Sequence, residues 1–170
     1  MKLSFRSLAC TVGILMMGQG VMAEPTQVQL DPIRHARAAL VVAGPDGETT
    51  YKPAELEALG SMRMVTVTPW RDDSTEFDGV LLTDVLDANG LGDVDAIRVI
   101  AENDYAVTIT AETWKRWPIL VATRVNGKPH TRRERGPIQF VLPMSDFPEA
   151  GAKGHGKNWV WMAARIEVAE

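Results

Sequence analysis

Cysteine is almost absent from this 170-residue chain, whose one cysteine is Cys10. Cys10 lies in an apolar N-terminal segment that we expect to be removed, so the mature chain would contain no cysteine at all. Such a chain forms no disulfide and offers neither a thiolate nucleophile nor a thiolate ligand for a metal. Thiol chemistry is therefore excluded from the functions expected of the mature protein.

Histidine is also scarce, and His35, His130 and His155 are widely separated. None of them lies four residues from another histidine or in a recognisable metal pattern with carboxylates, so the sequence does not favour a zinc or copper site. The chain also lacks the Gly-x-Ser-x-Gly turn on which many hydrolases carry a nucleophilic serine. We expect neither a catalytic residue nor a metal ligand from these patterns.

Residues 1–23 have the parts of a secretory signal peptide. Lys2 and Arg6 form a positive start, residues 8–22 are mainly apolar and uncharged, and Ala23 is a small residue at the cleavage position. The apolar run is shorter than the roughly 20 residues that span a bilayer. We therefore predict cleavage near Ala23 and a periplasmic or secreted chain of residues 24–170, which forms one domain with its core at about residues 38–168.

The mature chain is acidic, with 16 basic and 22 acidic residues and a formal charge of −6. This balance makes nucleic acid an unfavourable partner. Residues 72–104 contain ten acidic residues and one basic residue, whereas residues 124–135 contain five basic residues and one acidic residue. The two runs are either solvated faces that keep the protein soluble or, for the basic run, the edge of a pocket for an anionic or carbonyl-rich ligand.

Short strands and short helices alternate irregularly along the chain. The predicted strands are 38–42, 48–51, 63–68, 96–101, 105–109, 119–125, 138–142 and 159–168, and the predicted helices begin near Pro53, Leu81 and Thr110. Tight turns are expected at residues 44–47 and 126–127, and an acidic loop is expected between Trp70 and Leu81. The pattern predicts a mixed α+β domain.

Five segments occur in a characteristic order: YKPAELEAL, FDGVLLTDVLDANG, ENDYAVTI, ILVATRVNGKPHTRRERGPIQFVLP and NWVWMAARIEV. Together they resemble the molybdopterin-binding domain of the sulfite oxidase fold, and in particular its small, secreted, single-domain branch. The resemblance covers about Val41 to Val168. It implies a mixed-sheet fold with a pocket shaped for a pterin.

In the oxidoreductases of this family, a cysteine in the loop after the strand matching residues 63–68 binds molybdenum, and this chain has Pro69 and Trp70 there. An indole does not replace a thiolate ligand. Members of the small branch bind pterins and act with a membrane-bound cyclic-di-GMP enzyme, without catalysis. The resemblance thus implies a non-catalytic pterin sensor without molybdenum, whose partner is the periplasmic domain of a membrane diguanylate cyclase, phosphodiesterase or other sensor. The alternative is a molybdopterin-dependent oxidoreductase that lacks the protein cysteine ligand.

A pterin presents a 2-amino group and a ring N–H side by side, and a carboxylate accepts hydrogen bonds from both. Asp104 is the expected carboxylate because it lies between two predicted strands, where side chains converge, and Asn103 and Tyr105 add amide and hydroxyl groups. The alternative is that Asn103 and Asp104 simply form a turn.

Trp70 is expected to stack on the ligand ring, and the resemblance favours Trp159 over Trp161 as a second ligand neighbour. These two tryptophans are expected on one face of the last strand. Arg133 and Arg135 match the segment at the pocket edge and would donate to the pterin carbonyl or to a polar tail. The alternatives are that Trp70 covers the core and that the arginines lie in a solvated loop.

Overall fold

The computed structural model describes residues 24–33, 38–152 and 155–169. The predicted signal peptide and His35 lie outside these residues. Within the described ranges, no helix is both long enough and apolar enough to cross a membrane.

The described chain is a single α+β domain in which strands predominate. Its elements in chain order are β1 (Thr26–Gln27), β2 (Leu40–Gly44), β3 (Gly47–Tyr51), α1 (Pro53–Glu57), β4 (Met62–Thr68), β5 (Arg71–Leu81), α2 (Leu82–Asp87), β6 (Ala96–Ala101), β7 (Ala106–Thr110), α3 (Ala111–Arg116), β8 (Leu120–Val125), β9 (Lys128–Pro129), β10 (Gln139–Val141) and β11 (Ala163–Val168). This arrangement confirms the predicted fold class, three short helices and most of the predicted strands.

The first sheet has the strand order β1-β4-β5-β8-β10, with β9 paired to β8, and all of its pairings are antiparallel. Its centre is the hairpin of β4 and β5. On β4, Met64, Thr66 and Thr68 are buried while Val65 is exposed, which is the alternation expected of a strand with one face on the core.

The predicted acidic loop between Trp70 and Leu81 is wrong, because this segment is the long strand β5. Its exposed start carries Asp72 and Asp73, whereas Asp78 is fully buried and accepts a hydrogen bond of 2.7 Å from the Arg63 guanidinium. An acidic composition is typical of loops. Here pairing with β4 and β8 holds the segment extended, and a partly buried ion pair with Arg63 satisfies Asp78.

The second sheet has the strand order β3-β2-β11-β6-β7. Strand β11 pairs in parallel with β2 and antiparallel with β6, so the C-terminal strand lies in the middle of the sheet. The hairpin of β2 and β3 confirms the predicted turn at residues 44–47.

One cluster of buried apolar side chains from both sheets and the helices forms the core. Trp114 and Trp117 of the α3 segment are 4% and 1% exposed, so their spacing of three places both side chains in the core. The three short helices contribute one buried face each, including Leu56 in α1 and Leu82 in α2. The tryptophans of the candidate site lie outside these elements.

The predicted last strand begins too early, since β11 starts at Ala163 and not at residue 159. Met162 has a φ of +52°, a left-handed conformation that interrupts an extended chain. Its N–H donates to the Arg135 carbonyl at 3.1 Å, so its backbone bonds outside the second sheet. Trp159 and Trp161 consequently lie in a loop and not on one face of a strand.

Candidate functional site

Trp70 comes together in one cluster with two tryptophans from a distant part of the chain, Trp159 and Trp161. The Trp70 ring centroid is 5.4 Å from that of Trp159 and 5.0 Å from that of Trp161, and both contacts are edge-to-face. Edge-to-face indole pairs of this kind contribute about 0.5–1.5 kcal/mol each beyond their buried area. Trp159 is 4% exposed and Trp161 is 39% exposed, so the cluster runs from the core to the surface.

The cluster borders a cavity of about 320 Å³, here called the aromatic cleft. It is lined by Trp70, Asn103, Tyr105, Gly156, Trp159, Trp161 and Met162. This volume is at the lower end of the range of small-molecule sites, which are typically apolar with a few polar groups. The cleft thus has the size and lining expected for one flat aromatic molecule.

Trp70 reaches the cleft because it lies at the tip of the hairpin of β4 and β5. Thr68 pairs with Arg71, which leaves only Pro69 and Trp70 between the strands. Proline presets the backbone for such a turn. An aromatic residue at this tip projects beyond the sheet, where it is only partly buried.

Arg135 fills the corner between two of the indoles. Its guanidinium carbon lies 4.5 Å from the Trp70 ring centroid and 4.8 Å from that of Trp161, which are cation–π distances. Arg135 has a φ of +77°, a left-handed conformation that is unfavourable for a residue with a side chain. It ends a 3-10 turn at Arg132–Glu134.

Backbone hydrogen bonds join the three segments that carry the site. The Met162 N–H donates to the Arg135 carbonyl, and the Glu102 N–H donates to the Met162 carbonyl at 2.9 Å. The Arg132 guanidinium donates to both oxygens of Glu102, at 2.8 and 2.9 Å. The Tyr105 hydroxyl donates to the Lys157 carbonyl at 3.2 Å. The site is therefore held by contacts between loops as well as by the sheets.

Most of the predicted site residues meet at this place. Trp70, Asn103, Tyr105 and Trp159 line the aromatic cleft, and Arg135 covers two of its indoles. Arg133 lines a smaller adjoining cavity together with Trp70 and Arg135. Asp104 lies in the exposed turn between β6 and β7 with a φ of +63° and lines neither cavity.

Sequence reasoning missed several lining residues. Trp161 and Met162 line the aromatic cleft, and Thr68 and Gln139 line the adjoining cavity. One signal was available for Gln139, because it is a lone polar residue within the apolar run of residues 137–143 and is 1% exposed. The resemblance ranks Trp161 second to Trp159, whereas both line the cleft because they lie in the loop before the left-handed turn at Met162.

His130 packs beside Gln139, which lines the cavity that adjoins the aromatic cleft. Burial lowers the pKa of His130, and its Nε2 lies 2.8 Å from Gln139 Oε1. A Cβ added to Gly136 would lie 2.6 Å from the His130 ring, so the chain packs tightly at this point. The neutral imidazole fixes one end of the Gln139 amide.

A larger open groove of about 610 Å³ lies beside β2 and β11. Its arginines are occupied, since Arg165 donates to Glu48 and Glu167 at 2.7 Å and Arg98 lies 3.7 Å from Glu167. Among the described residues, none of those that line this groove is aromatic. The aromatic cleft is therefore the stronger candidate for a specific small-molecule site.

Among the described residues, no group of three or more His, Cys, Asp or Glu side chains is arranged to hold a metal ion. Comparison of the chain with protein-family models and with curated proteins found no match in either case.

Proposed function

We propose that this protein is a non-catalytic pterin-binding sensor that acts in the periplasm and reports its ligand to a membrane-bound cyclic-di-GMP signalling enzyme. The observation that carries the proposal is the aromatic cleft, in which Trp70, Trp159 and Trp161 surround a space of about 320 Å³. Flat heteroaromatic rings are bound in such sites because aromatic side chains give a large contact area at low conformational cost.

The polar groups beside the cleft match the edge of a pterin. Asn103 and Tyr105 line the cleft and offer amide and hydroxyl groups. Asp104 lies between them in the chain, and its carboxylate would accept hydrogen bonds from the pterin 2-amino group and ring N–H after a rotation of its exposed side chain. Arg135 would donate to the carbonyl edge.

The donor set of the cleft fits the organic ring better than a soft metal. It consists of indole, amide and phenol groups and the single Met162 thioether, with the Arg135 guanidinium over the Trp70 ring, and no thiolate is among them. We derive no redox step from these residues.

The signalling part of the proposal rests on the sequence resemblance and on exposure at the cleft. Tyr105 and Trp161 are 44% and 39% exposed, so a bound ring would change the surface that a partner contacts. A partner that contacts these two residues would distinguish the ligand-bound protein from the free protein.

Calorimetric titration with 6-methylpterin and its tetrahydro form tests the binding proposal. We expect saturable binding at one site, and we expect Trp70→Ala and Trp161→Ala each to weaken it by about tenfold or more, because a stacked aromatic contributes about 1–3 kcal/mol. Trp114→Phe is the matched control, since Trp114 is buried in the core away from the cleft and this variant should retain affinity. Absence of binding by the folded wild-type protein would contradict the proposal.

Asp104→Asn tests the role of the carboxylate. Asparagine tolerates the left-handed backbone as well as aspartate does, so the variant should keep its melting temperature. Its affinity for 6-methylpterin should fall by about tenfold, because the amide cannot accept both donors. Unchanged affinity in titration would remove Asp104 from the site and leave the aromatic cleft as the ligand site.

A further inference from the structure

A second cavity of about 150 Å³ adjoins the aromatic cleft and shares Trp70 with it. We call it the polar recess. The residues that matter for its chemistry are Thr68, Thr75, Arg133, Glu134, Arg135 and Gln139. A cavity needs about 15 Å³ to hold a single water, so the recess has room for a small polar group with a few waters.

Three of the residues that line the recess each carry a buried side-chain atom with no hydrogen-bond partner among the described residues: Thr68 Oγ1, Arg135 Nε and Gln139 Nε2. Thr68 and Gln139 are 4% and 1% exposed. The other end of the Gln139 amide is already bound to His130, which leaves its NH₂ group as a free donor. Buried polar groups are rarely left unpaired, and three at one cavity indicate a missing partner.

The three unpartnered groups can all donate, so one acceptor can satisfy all of them. Two of them, the Arg135 and Gln139 nitrogens, are donors only. A hydrogen-bond acceptor with several lone pairs, such as a carboxylate, satisfies all three at once.

The charges around the recess favour an anion. Arg133 and Arg135 line it, and neither forms an ion pair with any of the described residues. Arg71 also lines the recess but is bound to Asp73 at 2.9 Å. The one lining carboxylate, Glu134, accepts a hydrogen bond from the Thr131 hydroxyl.

We infer that the polar recess binds a carboxylate that the heteroaromatic ligand carries as a substituent, while the ring of the same ligand occupies the aromatic cleft. Trp70 lines both cavities, and the Arg135 guanidinium lies over the indole that they share. A ring against the tryptophans therefore places its substituent beside the free donors. This inference rests on the proposed function, because it specifies the ligand of that same site.

A pair of probes separates the ring from the substituent. Calorimetric titration of the mature protein with 6-carboxypterin and with 6-methylpterin compares ligands that share one ring and differ in the carboxylate. We expect 6-carboxypterin to bind about tenfold more tightly or better, since hydrogen bonds to a charged group contribute about 1.5–3 kcal/mol. The preference should shrink as the salt concentration is raised.

Two variants test whether the polar recess causes the preference for 6-carboxypterin over 6-methylpterin. Thr68→Val removes an unpartnered hydroxyl without changing the side-chain shape, so we expect the melting temperature to be maintained or raised while the preference falls. Gln139→Glu replaces the free donor with a carboxylate oxygen of similar size and should abolish the preference. Thr66→Val is the matched control, because Thr66 is buried on the same strand, does not line the recess and accepts the Ser145 N–H at 3.0 Å. It should lose stability and keep the preference.

The outcomes separate this inference from the proposed function. Equal affinity for the two pterins would overturn the inference and leave the proposed function standing. A preference that survives in both Thr68→Val and Gln139→Glu would overturn the assignment to the recess. Binding of neither pterin would overturn the proposed function and this inference with it.

Discussion

Arg135 contacts two indoles of the aromatic cleft and also lines the polar recess. Its Nε has no hydrogen-bond partner among the described residues, and its carbonyl accepts the Met162 N–H. Asp104 and Met162 also have positive φ angles, so three of the four non-glycine residues in this conformation among the described ranges lie at or beside the cleft. Unfavourable backbone conformations of this kind concentrate at functional sites.

The conformation of Arg135 predicts a particular difference between two substitutions. Arg135→Gly should have a free energy of unfolding about 1 kcal/mol higher than Arg135→Ala, because glycine adopts a φ of +77° without a Cβ penalty. At the exposed helical position Lys115 the order should reverse, since alanine is favoured there by about 1 kcal/mol. Urea unfolding of the four variants measures both differences. An alanine variant at position 135 that is as stable as the glycine variant would contradict the assigned backbone.

The hairpin of β4 and β5 shows which part of the site was predictable at the scale of elements. The alternation of residues 63–68 predicted β4 correctly, but the acidic residues after Trp70 concealed β5, which is specified by pairing with two other strands. The turn before residue 105 was predictable from Asn103 and Asp104. The loop with Trp159 and Trp161 was not, because its path depends on a bond between Met162 and the distant Arg135.

Substitution of Gly79 tests the close backbone contact between β5 and β8. A Cβ at this position would lie 2.7 Å from the Ala122 Cα and would also meet the Val121 backbone, and backbone atoms cannot rotate away. Gly79→Ala should therefore lower the free energy of unfolding by about 3 kcal/mol. Gly156→Ala is the control, because its Cβ would only reach ordinary contact, 3.7 Å from the Gly151 carbonyl, and its effect should stay within about 0.5 kcal/mol. Equal urea midpoints for these two variants would contradict the strand contact.

At the scale of the whole molecule, a buried ion pair connects the first sheet to α1 and to the segment before β2. Arg124 on β8 binds both oxygens of Glu57 at 2.8 Å, and Thr123 donates to the same carboxylate at 2.6 Å. Arg124 also donates to the Asp31 carbonyl. From the sequence, Arg124 was expected either at a pocket edge or on a solvated face. It is instead buried and paired with Glu57.

Removing one partner of this ion pair should lower the free energy of unfolding substantially. Arg124→Met should lower the free energy of unfolding by about 3–5 kcal/mol, because it leaves the Glu57 carboxylate buried without its cation. The double variant Glu57→Leu with Arg124→Met should be more stable than the single variant, since both charges are then absent. Thermal and urea unfolding of the wild type, Arg124→Met, Glu57→Leu and the double variant form a double-mutant cycle. Strictly additive losses would show that the pair is not coupled.

The central claim is that the aromatic cleft holds a pterin in the native protein. Mass spectrometry of small molecules released from protein purified from its native host tests it most directly, with Trp70→Ala purified in parallel. We predict one pterin per wild-type chain, little or none in the variant, and no stoichiometric molybdenum. A wild-type protein that releases no heteroaromatic molecule, or that carries molybdenum in equal amount, would contradict the claim.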